Sequence, residues 1–356
     1  MSLPREGQFI GCLVGQCLGD ALGFLVEGRL PEACRHYVDE ILKKDEGRLE
    51  LAAGPRFGQY SDDGQLAREL LQSYVSCRRF DPSDYAKRIA AIFMENRIVG
   101  RGHATSEAAW RLASGVSWEE AGSPSPYAGN GSAMRAGPIG LIFFDEPERL
   151  IRAAHDQSRI THQDLRCSAG AVAIAGAVAL ALRAETIEPA RIVSTLSDWT
   201  RELDPILSNA LKHQMQGWIQ LPPEDAADQI PSVGLEPDNW DERKNISPFV
   251  TTSVLWSLYS FLRAPDDYWK AICTAIGVGG DVDSTASMTG AISGAKVGLD
   301  GMPQDLARCL RDFGTWQNGD LVDLARESYS IRMGDSSRLK DQTRTHSAIR
   351  QPLRVR

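Results

Sequence analysis

What the sequence lacks excludes several classes of protein. Its seven cysteines include no pair at C-x-x-C spacing, and most lie within apolar helical patterns, which argues against zinc ligation and disulfides. Residues 1–8 are polar and lack the basic-then-apolar order of a signal peptide. The longest apolar run, residues 167–182, is shorter than the roughly 20 residues that span a bilayer. We therefore expect a cytoplasmic protein that does not enter a membrane.

The sequence also lacks an excess of basic residues and any strand-like pattern. Its net charge of −8 argues against a general nucleic-acid binder, which needs a basic surface. No stretch alternates apolar and polar residues as an amphipathic strand does. We therefore predict an all-α, single-domain protein over residues 1–334, followed by a basic, flexible tail at 335–356. Helix-start signals include Ser83 and the capping-box spacing of residues 117–120.

What the sequence does contain is a set of small residues that recur every four positions. Glycine weakens a helix by roughly 1 kcal/mol relative to alanine, so a glycine face is expected where a neighbouring helix backbone approaches closely. The pattern predicts three helices in contact near the middle of one domain. Its members are Gly11, Gly15, Gly19 and Gly23; Ala169, Ala173, Ala177 and Ala181; and Ala286, Gly290, Gly294 and Gly298.

Two short acidic segments resemble each other although more than two hundred residues separate them. The first is Tyr60-Ser61-Asp62-Asp63-Gly64, and the second is Gly279-Gly280-Asp281-Val282-Asp283-Ser284-Thr285. Each places carboxylates and a hydroxyl directly before a helical pattern. Such oxygens are the ligands that Mg²⁺ and Mn²⁺ prefer, and one short segment rarely supplies all six of them. We interpret the two segments as halves of one dinuclear site.

A simpler interpretation exists for each acidic segment alone. Ser and Asp before an apolar run are ordinary N-caps and first-turn acids that suit the helix dipole. The repetition of one composition at two helix starts, together with the neighbouring glycines, favours the metal site.

A glycine-rich loop and one histidine are further candidates. The loop runs Gly129-Asn130-Gly131-Ser132-Ala133-Met134-Arg135, and its backbone amides are suited to approach an anionic group closely. A lone loop of this kind is a weak signal. His162 precedes the alanine-rich helix, where a histidine is more often structural than ligand-binding.

Taken in order, these segments resemble the ADP-ribosylglycohydrolase family. The resemblance extends from about Gly11 to Gly298 and rests on five segments: the first glycine helix with Asp20 and Glu27, the 61–63 motif, the 129–135 loop, Thr161-His162 and the 280–285 turn. It implies an orthogonal all-α bundle with two Mg²⁺ or Mn²⁺ ions in a central cleft. The metal ligands it implies are Ser61, Asp62, Asp63, Asp281, Asp283 and Ser284.

The resemblance also implies which residues hold the substrate. Gly129, Asn130, Gly131, Ser132, Met134, Arg135 and His162 would bind the diphosphate and ribose of ADP-ribose. Family members usually carry Thr where this chain has Ser61 and Ser284, so Thr285 competes with Ser284 as a ligand.

The implied activity is metal-dependent hydrolysis of the glycosidic bond at the distal ribose, which releases ADP-ribose. The carboxylates proposed for catalysis are Asp62, Asp63 and Glu27. The substrate would be an ADP-ribosylated protein or a small conjugate such as O-acetyl-ADP-ribose. Arginine-directed members tend to carry an acid near residues 98–103, where this chain has Arg97 and Arg101, so arginine-linked and serine-linked substrates both stay open. Two alternatives are a non-catalytic ADP-ribose-binding relative and a dinuclear phosphoesterase.

Overall fold

A computed structural model describes residues 3–54, 57–235 and 245–348 and confirms the all-α prediction. Strands within these residues are limited to one antiparallel hairpin, β1 (Arg311–Asp312) with β2 (Trp316–Gln317). The α-helices are α1 Glu6–Gly23, α2 Pro31–Tyr37, α3 Asp45–Ala53, α4 Asp62–Cys77, α5 Pro82–Met94, α6 His103–Ala113, α7 Gly137–Ile142, α8 Pro147–Arg159, α9 Leu165–Arg183, α10 Pro189–Thr200, α11 Pro205–His213, α12 Met215–Gln220, α13 Pro223–Ala226, α14 Val250–Arg263, α15 Tyr268–Gly277, α16 Val282–Val297, α17 Gln304–Ala307 and α18 Asn318–Ala348.

The centre of the fold is the antiparallel pair of α1 and α16, which pack backbone against backbone. A Cβ atom on Gly11 would lie 2.4 Å from the Gly294 carbonyl oxygen, and one on Gly15 would lie 2.7 Å from that of Gly290. Contacts this short leave no room for a side chain, so glycine is required on both faces. The predicted approach of helix backbones is therefore confirmed for these two helices, and α9 packs against α16 beside them.

Buried apolar helices make up the rest of the core. Two segments, Glu6–Val26 and Leu165–Arg183, are long and apolar enough to cross a membrane, and 83% of the most apolar window of each is buried inside the protein. Burial on all sides explains why these helices lack a polar face, since an all-apolar helix must be covered by its neighbours.

Helix starts explain two local differences from the sequence prediction. Helix α5 begins at Pro82 and is capped by Asp81, whose carboxylate accepts hydrogen bonds from the Ser83 and Asp84 amides at 3.1 Å. The predicted cap at Ser83 is therefore wrong by two residues. Residues 117–120 form an isolated turn instead of a helix start, because no apolar helical run follows them.

The last helix bears on the predicted tail. Helix α18 continues across residue 335 to Ala348, and residues 349–356 lie outside the described residues. A flexible tail at 335–356 stays a prediction.

Candidate metal centre and active site

Three helix ends meet at one place, and each carries acidic residues. Gly23, the last residue of α1, lies against the start of α16, where its Cβ would be 2.6 Å from Asp283 Cα. The carboxylate of Asp20 on α1 accepts the Ser61 amide at 2.9 Å and the Gly64 amide at 2.7 Å, which fixes the start of α4. The end of α1 and the starts of α4 and α16 therefore bring both acidic segments into one cleft.

The carboxylates form a cluster at the bottom and mouth of this cleft. Glu27, Asp281 and Asp283 each present an oxygen, and these oxygens all lie within 4.8 Å of one another. Asp63 joins them from α4, since the Ser284 hydroxyl donates to its Oδ2 at 3.4 Å. The two segments predicted to be halves of one site are thus in direct contact across 221 positions of sequence.

Burial and mutual repulsion give the cluster a strong preference for positive charge. Burial raises the pKa of Asp281 to about 6 and that of Asp20 to about 7. Burial also raises the pKa values of Asp63 and Asp283 well above the usual range, and neighbouring carboxylates add to this, Asp283 acting on Asp63 and Asp281 acting on Asp283. A bound cation would reverse these shifts, because it favours the ionised carboxylates.

The residues present fit a hard divalent cation. Asp63 Oδ1 and Asp283 Oδ1 are buried and accept no hydrogen bond from any residue that the structure describes. A buried carboxylate oxygen without a partner is costly, and metal ligation would satisfy it. Oxygen ligands of one Mg²⁺ lie about 2.1 Å from the ion, so they fall within about 4 Å of one another. The oxygens of Glu27, Asp281 and Asp283 approach that spacing.

The directions of the side chains distinguish between the hydroxyl groups that are candidate metal ligands. Ser284 lines the cleft and donates to Asp63, whereas the Thr285 hydroxyl points into the core and donates to the Ala275 carbonyl at 3.3 Å. Ser284 is therefore the hydroxyl available to the site. Ser61 is buried behind the cleft surface, where its Oγ caps α4 by accepting the Asp63 amide at 3.4 Å. The capping interpretation is therefore correct for Ser61, while Asp62 and Asp63 of the same segment line the cleft.

The glycine-rich loop forms the wall opposite the acids. Asn130 donates from Nδ2 to Asp281 Oδ2 at 2.5 Å, which ties the loop to the acidic turn. Gly129 and Gly131 pack on the His162 ring, whose Cε1 would lie 2.9 Å from a Cβ on Gly131. Burial lowers the pKa of His162 to about 3, and nearby Arg135 contributes, so the ring is neutral. Its Nδ1 is paired with the Thr161 hydroxyl at 2.8 Å.

Two residues predicted to bind the substrate are placed elsewhere. Arg135 is fully buried and donates to the Gln157 side chain and carbonyl, both at 2.9 Å, and to Thr161 Oγ1 at 2.8 Å. Ser132 donates to the Cys167 carbonyl at 3.1 Å. Neither lines the cleft, so the prediction that they contact the substrate directly is wrong. Both instead hold the loop in place from behind.

The structure adds residues that the sequence did not single out as site residues. Asp20 fixes the start of α4. The sequence feature that could have indicated this role is the presence of one acid within a helix that carries a glycine face. Residues 97–102 form a second wall through Gly100, Arg101 and Gly102, while Thr105 and Tyr127 complete the lining. Arg101 was considered from the sequence only for the choice of acceptor, and nothing in the local pattern marked Gly100, Gly102, Thr105 or Tyr127 as lining residues.

The cleft holds about 230 Å³ and is lined by Glu27, Asp62, Asp63, Gly100, Arg101, Gly102, His103, Ala104, Thr105, Tyr127, Gly129, Asn130, Gly131, Met134, His162, Pro248, Asp281, Asp283 and Ser284. A larger cavity of about 570 Å³ lies against α15. The acids that line it, Asp39, Glu224 and Asp267, are exposed to solvent. The smaller cleft is the candidate site because the carboxylates of Asp62, Asp63 and Asp283 are buried together there.

Comparison with known proteins agrees with this geometry. The chain is 29% identical over 332 residues to the ADP-ribosylhydrolase ARH3 of Gallus gallus, covering 85% of this chain and 88% of that protein. It is 28% identical over 305 residues to the ADP-ribosylarginine hydrolase Tri1 of Pseudomonas putida, covering 83% and 72%. A solved structure described as an ADP-ribosylglycohydrolase-related protein complex superposes with a TM-score of 0.68 at 25% identity, covering 92% of this chain and 99% of that one. The ADP-ribosylglycohydrolase family model matches residues 1–338, and the chain therefore belongs to that family.

Proposed function

We propose that the protein hydrolyses the glycosidic bond at the distal ribose of ADP-ribose conjugates and releases ADP-ribose, using two Mg²⁺ or Mn²⁺ ions. The observation that carries this proposal is a cluster of carboxylates, three of them buried, that faces a glycine-rich loop across one cleft. The names of the relatives ARH3 and Tri1 support ADP-ribosyl hydrolysis as the reaction class. Residence in the cytoplasm stays a prediction.

The ions would be held by Asp62, Asp63, Asp281 and Asp283 with the hydroxyls of Ser61 and Ser284. Glu27, whose oxygen lies within 4.8 Å of those of Asp281 and Asp283, is left for proton transfer. When bound, such ions orient ribose hydroxyls and lower the pKa of water. The orphaned oxygens of Asp63 and Asp283 are the atoms that fit this role best.

The positions of the carboxylates in the cleft suggest which of them accepts and which of them donates a proton. Asp63 lies at the bottom of the cleft between the two acidic segments, where we propose that it or Asp62 accepts the proton of the attacking water. Glu27 is exposed at the mouth, and partial burial raises its pKa, which suits an acid that returns a proton to the leaving group. Backbone amides near Gly129 and Gly131 would approach the diphosphate.

The charge of Arg101 bears on which group ADP-ribose is released from. Arg101 lines the cleft, whereas Arg97 pairs with Glu95 at 2.7 Å on the surface. A guanidinium leaving group would meet the like charge of Arg101. We therefore expect serine-linked ADP-ribose and O-acetyl-ADP-ribose to be hydrolysed faster than arginine-linked ADP-ribose.

The test is product release from these three substrates with Mg²⁺ and then with a chelator, followed by mass spectrometry. Free ADP-ribose that depends on the metal supports the proposal. AMP would instead indicate a phosphoesterase, and no product at all would indicate a non-catalytic ADP-ribose-binding relative. The same assay is applied to the Asp63→Asn variant. If this variant keeps its metals and its full turnover, Asp63 has no part in the mechanism.

A further inference from the structure

The cleft wall of residues 97–102 lies directly over Asp62. A Cβ on Gly100 would be 3.1 Å from Asp62 Oδ1, and one on Gly102 would be 3.7 Å from Asp62 Oδ2. Arg101, between them, lines the cleft. A shift of this segment would therefore move both the Arg101 cation and the backbone that packs on the Asp62 carboxylate.

A single buried side chain holds this segment at its start. Gln65 on α4 is fully buried, and its Nε2 donates to the Arg97 carbonyl at 2.9 Å. Its Oε1 accepts the Val99 amide at 2.8 Å. The amide group thus pairs with the backbone on both sides of Ile98, much as a neighbouring strand would.

The orientation of Gln65 is fixed in turn by the C-terminal hairpin. The second Nε2 hydrogen of Gln65 is donated to Asp312 Oδ1 at 2.7 Å. Asp312 is 1% exposed, and its Oδ2 accepts Arg68 Nη1 at 2.6 Å. The Arg68 guanidinium is itself covered by the Trp316 ring, 4.7 Å from the ring centroid. Both Nε2 hydrogens and the Oε1 of Gln65 are engaged, so its amide has one favourable orientation.

We propose that Gln65, oriented by Asp312, is a positioning residue that holds the 97–102 wall against the acidic cluster and so sets the affinity for substrate. Gln65 does not line the cleft and touches no reacting group, so it acts through the wall alone. Its effect on substrate binding rests on the function proposed above, whereas its hold on the wall does not.

The first test is independent of catalysis. Gln65→Met keeps an unbranched side chain of similar length and removes the three hydrogen bonds. Arg97 and Arg101 are trypsin sites within the wall, and a protease needs a locally open backbone. We expect cleavage after these two arginines, identified by fragment mass, to accelerate by about tenfold in the variant.

Gln8→Met is the matched control. Gln8 is also buried and makes the same kinds of bond, donating to the Ala295 carbonyl at 2.9 Å and accepting the Arg5 amide at 3.0 Å. It lies at the end of α1 remote from the cluster. Gln8→Met should not accelerate cleavage at Arg97 or Arg101, and equal acceleration in both variants would overturn the proposal.

The second test separates positioning from general stability. We expect Gln65→Met to raise KM about tenfold while kcat stays within about threefold, as for loss of binding shared by ground and transition states. A fall in kcat at unchanged KM, in parallel with Gln8→Met, would show a structural role only and sink the proposal. If Gln65→Met does not fold, Asp312→Asn must show the same rise in KM. A wild-type protein without hydrolase activity would refute the proposed function, and the proteolysis result would still decide whether Gln65 holds the wall.

Discussion

A single added methyl group at Gly19 should disrupt the contact on which the site depends. A Cβ there would lie 2.1 Å from the Ala286 carbonyl oxygen, whereas ordinary van der Waals contact begins near 3.4 Å. The obstructing atom belongs to the backbone of α16 and cannot rotate away. The two helices would therefore have to separate by about 1 Å along a closely packed interface.

The expected change in the free energy of unfolding is the difference between two opposing effects of Gly19→Ala. Overpacking a core costs about 1–3 kcal/mol, and the rigid backbone contact places Gly19→Ala near the upper end. Alanine recovers about 1 kcal/mol of helix propensity. We expect Gly19→Ala to lower the free energy of unfolding by about 2 kcal/mol, which corresponds to a fall in Tm of roughly 3 °C for a chain of this size.

Gly7 supplies the control for this substitution. It lies in the same helix, and a Cβ there would have no neighbour within 4 Å. Gly7→Ala should therefore leave Tm unchanged or raise it by up to about 2 °C. Thermal unfolding followed by circular dichroism compares the two variants directly. A Gly19→Ala protein at least as stable as Gly7→Ala would refute the inference that the glycine face is required by a backbone contact.

Two further substitutions test buried polar groups. Asp20→Asn leaves one acceptor for the Ser61 and Gly64 amides, and we expect a loss of about 1–3 kcal/mol in urea unfolding; an unchanged midpoint would contradict the role of Asp20 in fixing α4. For His162, burial lowers the pKa from 6.5 to about 3, so the unfolded chain takes up a proton first and stability falls as pH drops below about 6.5. His162→Gln should lose less stability than the wild type between about pH 7 and pH 5, and identical losses would argue against a buried neutral ring.

The central helix pair and the two acidic turns were predictable because their signals are local. Glycines repeated every four residues in a helix carry a cost that only a close neighbour explains, and the structure supplies that neighbour. The carboxylates at the starts of α4 and α16 follow from hard-cation chemistry. The sequence pattern did not show which helix would face which, and the pairing of Gly11 with Gly294 appears only in the structure.

The errors arose where a local pattern was decided by distant partners. Arg135 follows a glycine-rich loop, as a phosphate-binding residue would, but its guanidinium is buried in the core and donates to Gln157 and Thr161. One error was of a different kind, because its signal was local: Asp81, the cap of α5, precedes a proline at the first helical position, which is a favourable start signal. Gln65 had no signal of its own, because its partners at Arg97, Val99 and Asp312 lie far along the chain.

The cleft opposes the stability of the fold that contains it. Most of its carboxylates are buried or half-buried and repel one another. One oxygen each of Asp63 and Asp283 has no hydrogen-bond partner within the described part of the chain, which adds to the cost. The partial positive charge at the starts of α4 and α16 offsets only part of this, since a helix end contributes about 1 kcal/mol. The close packing of α1 on α16 must therefore hold Glu27 and Asp283 together against their repulsion, and a cation that relieves the repulsion would bind the folded state alone. For this reason the glycine face and the acidic cluster form one functional unit, and a change that separates the helices should weaken metal binding before it unfolds the protein.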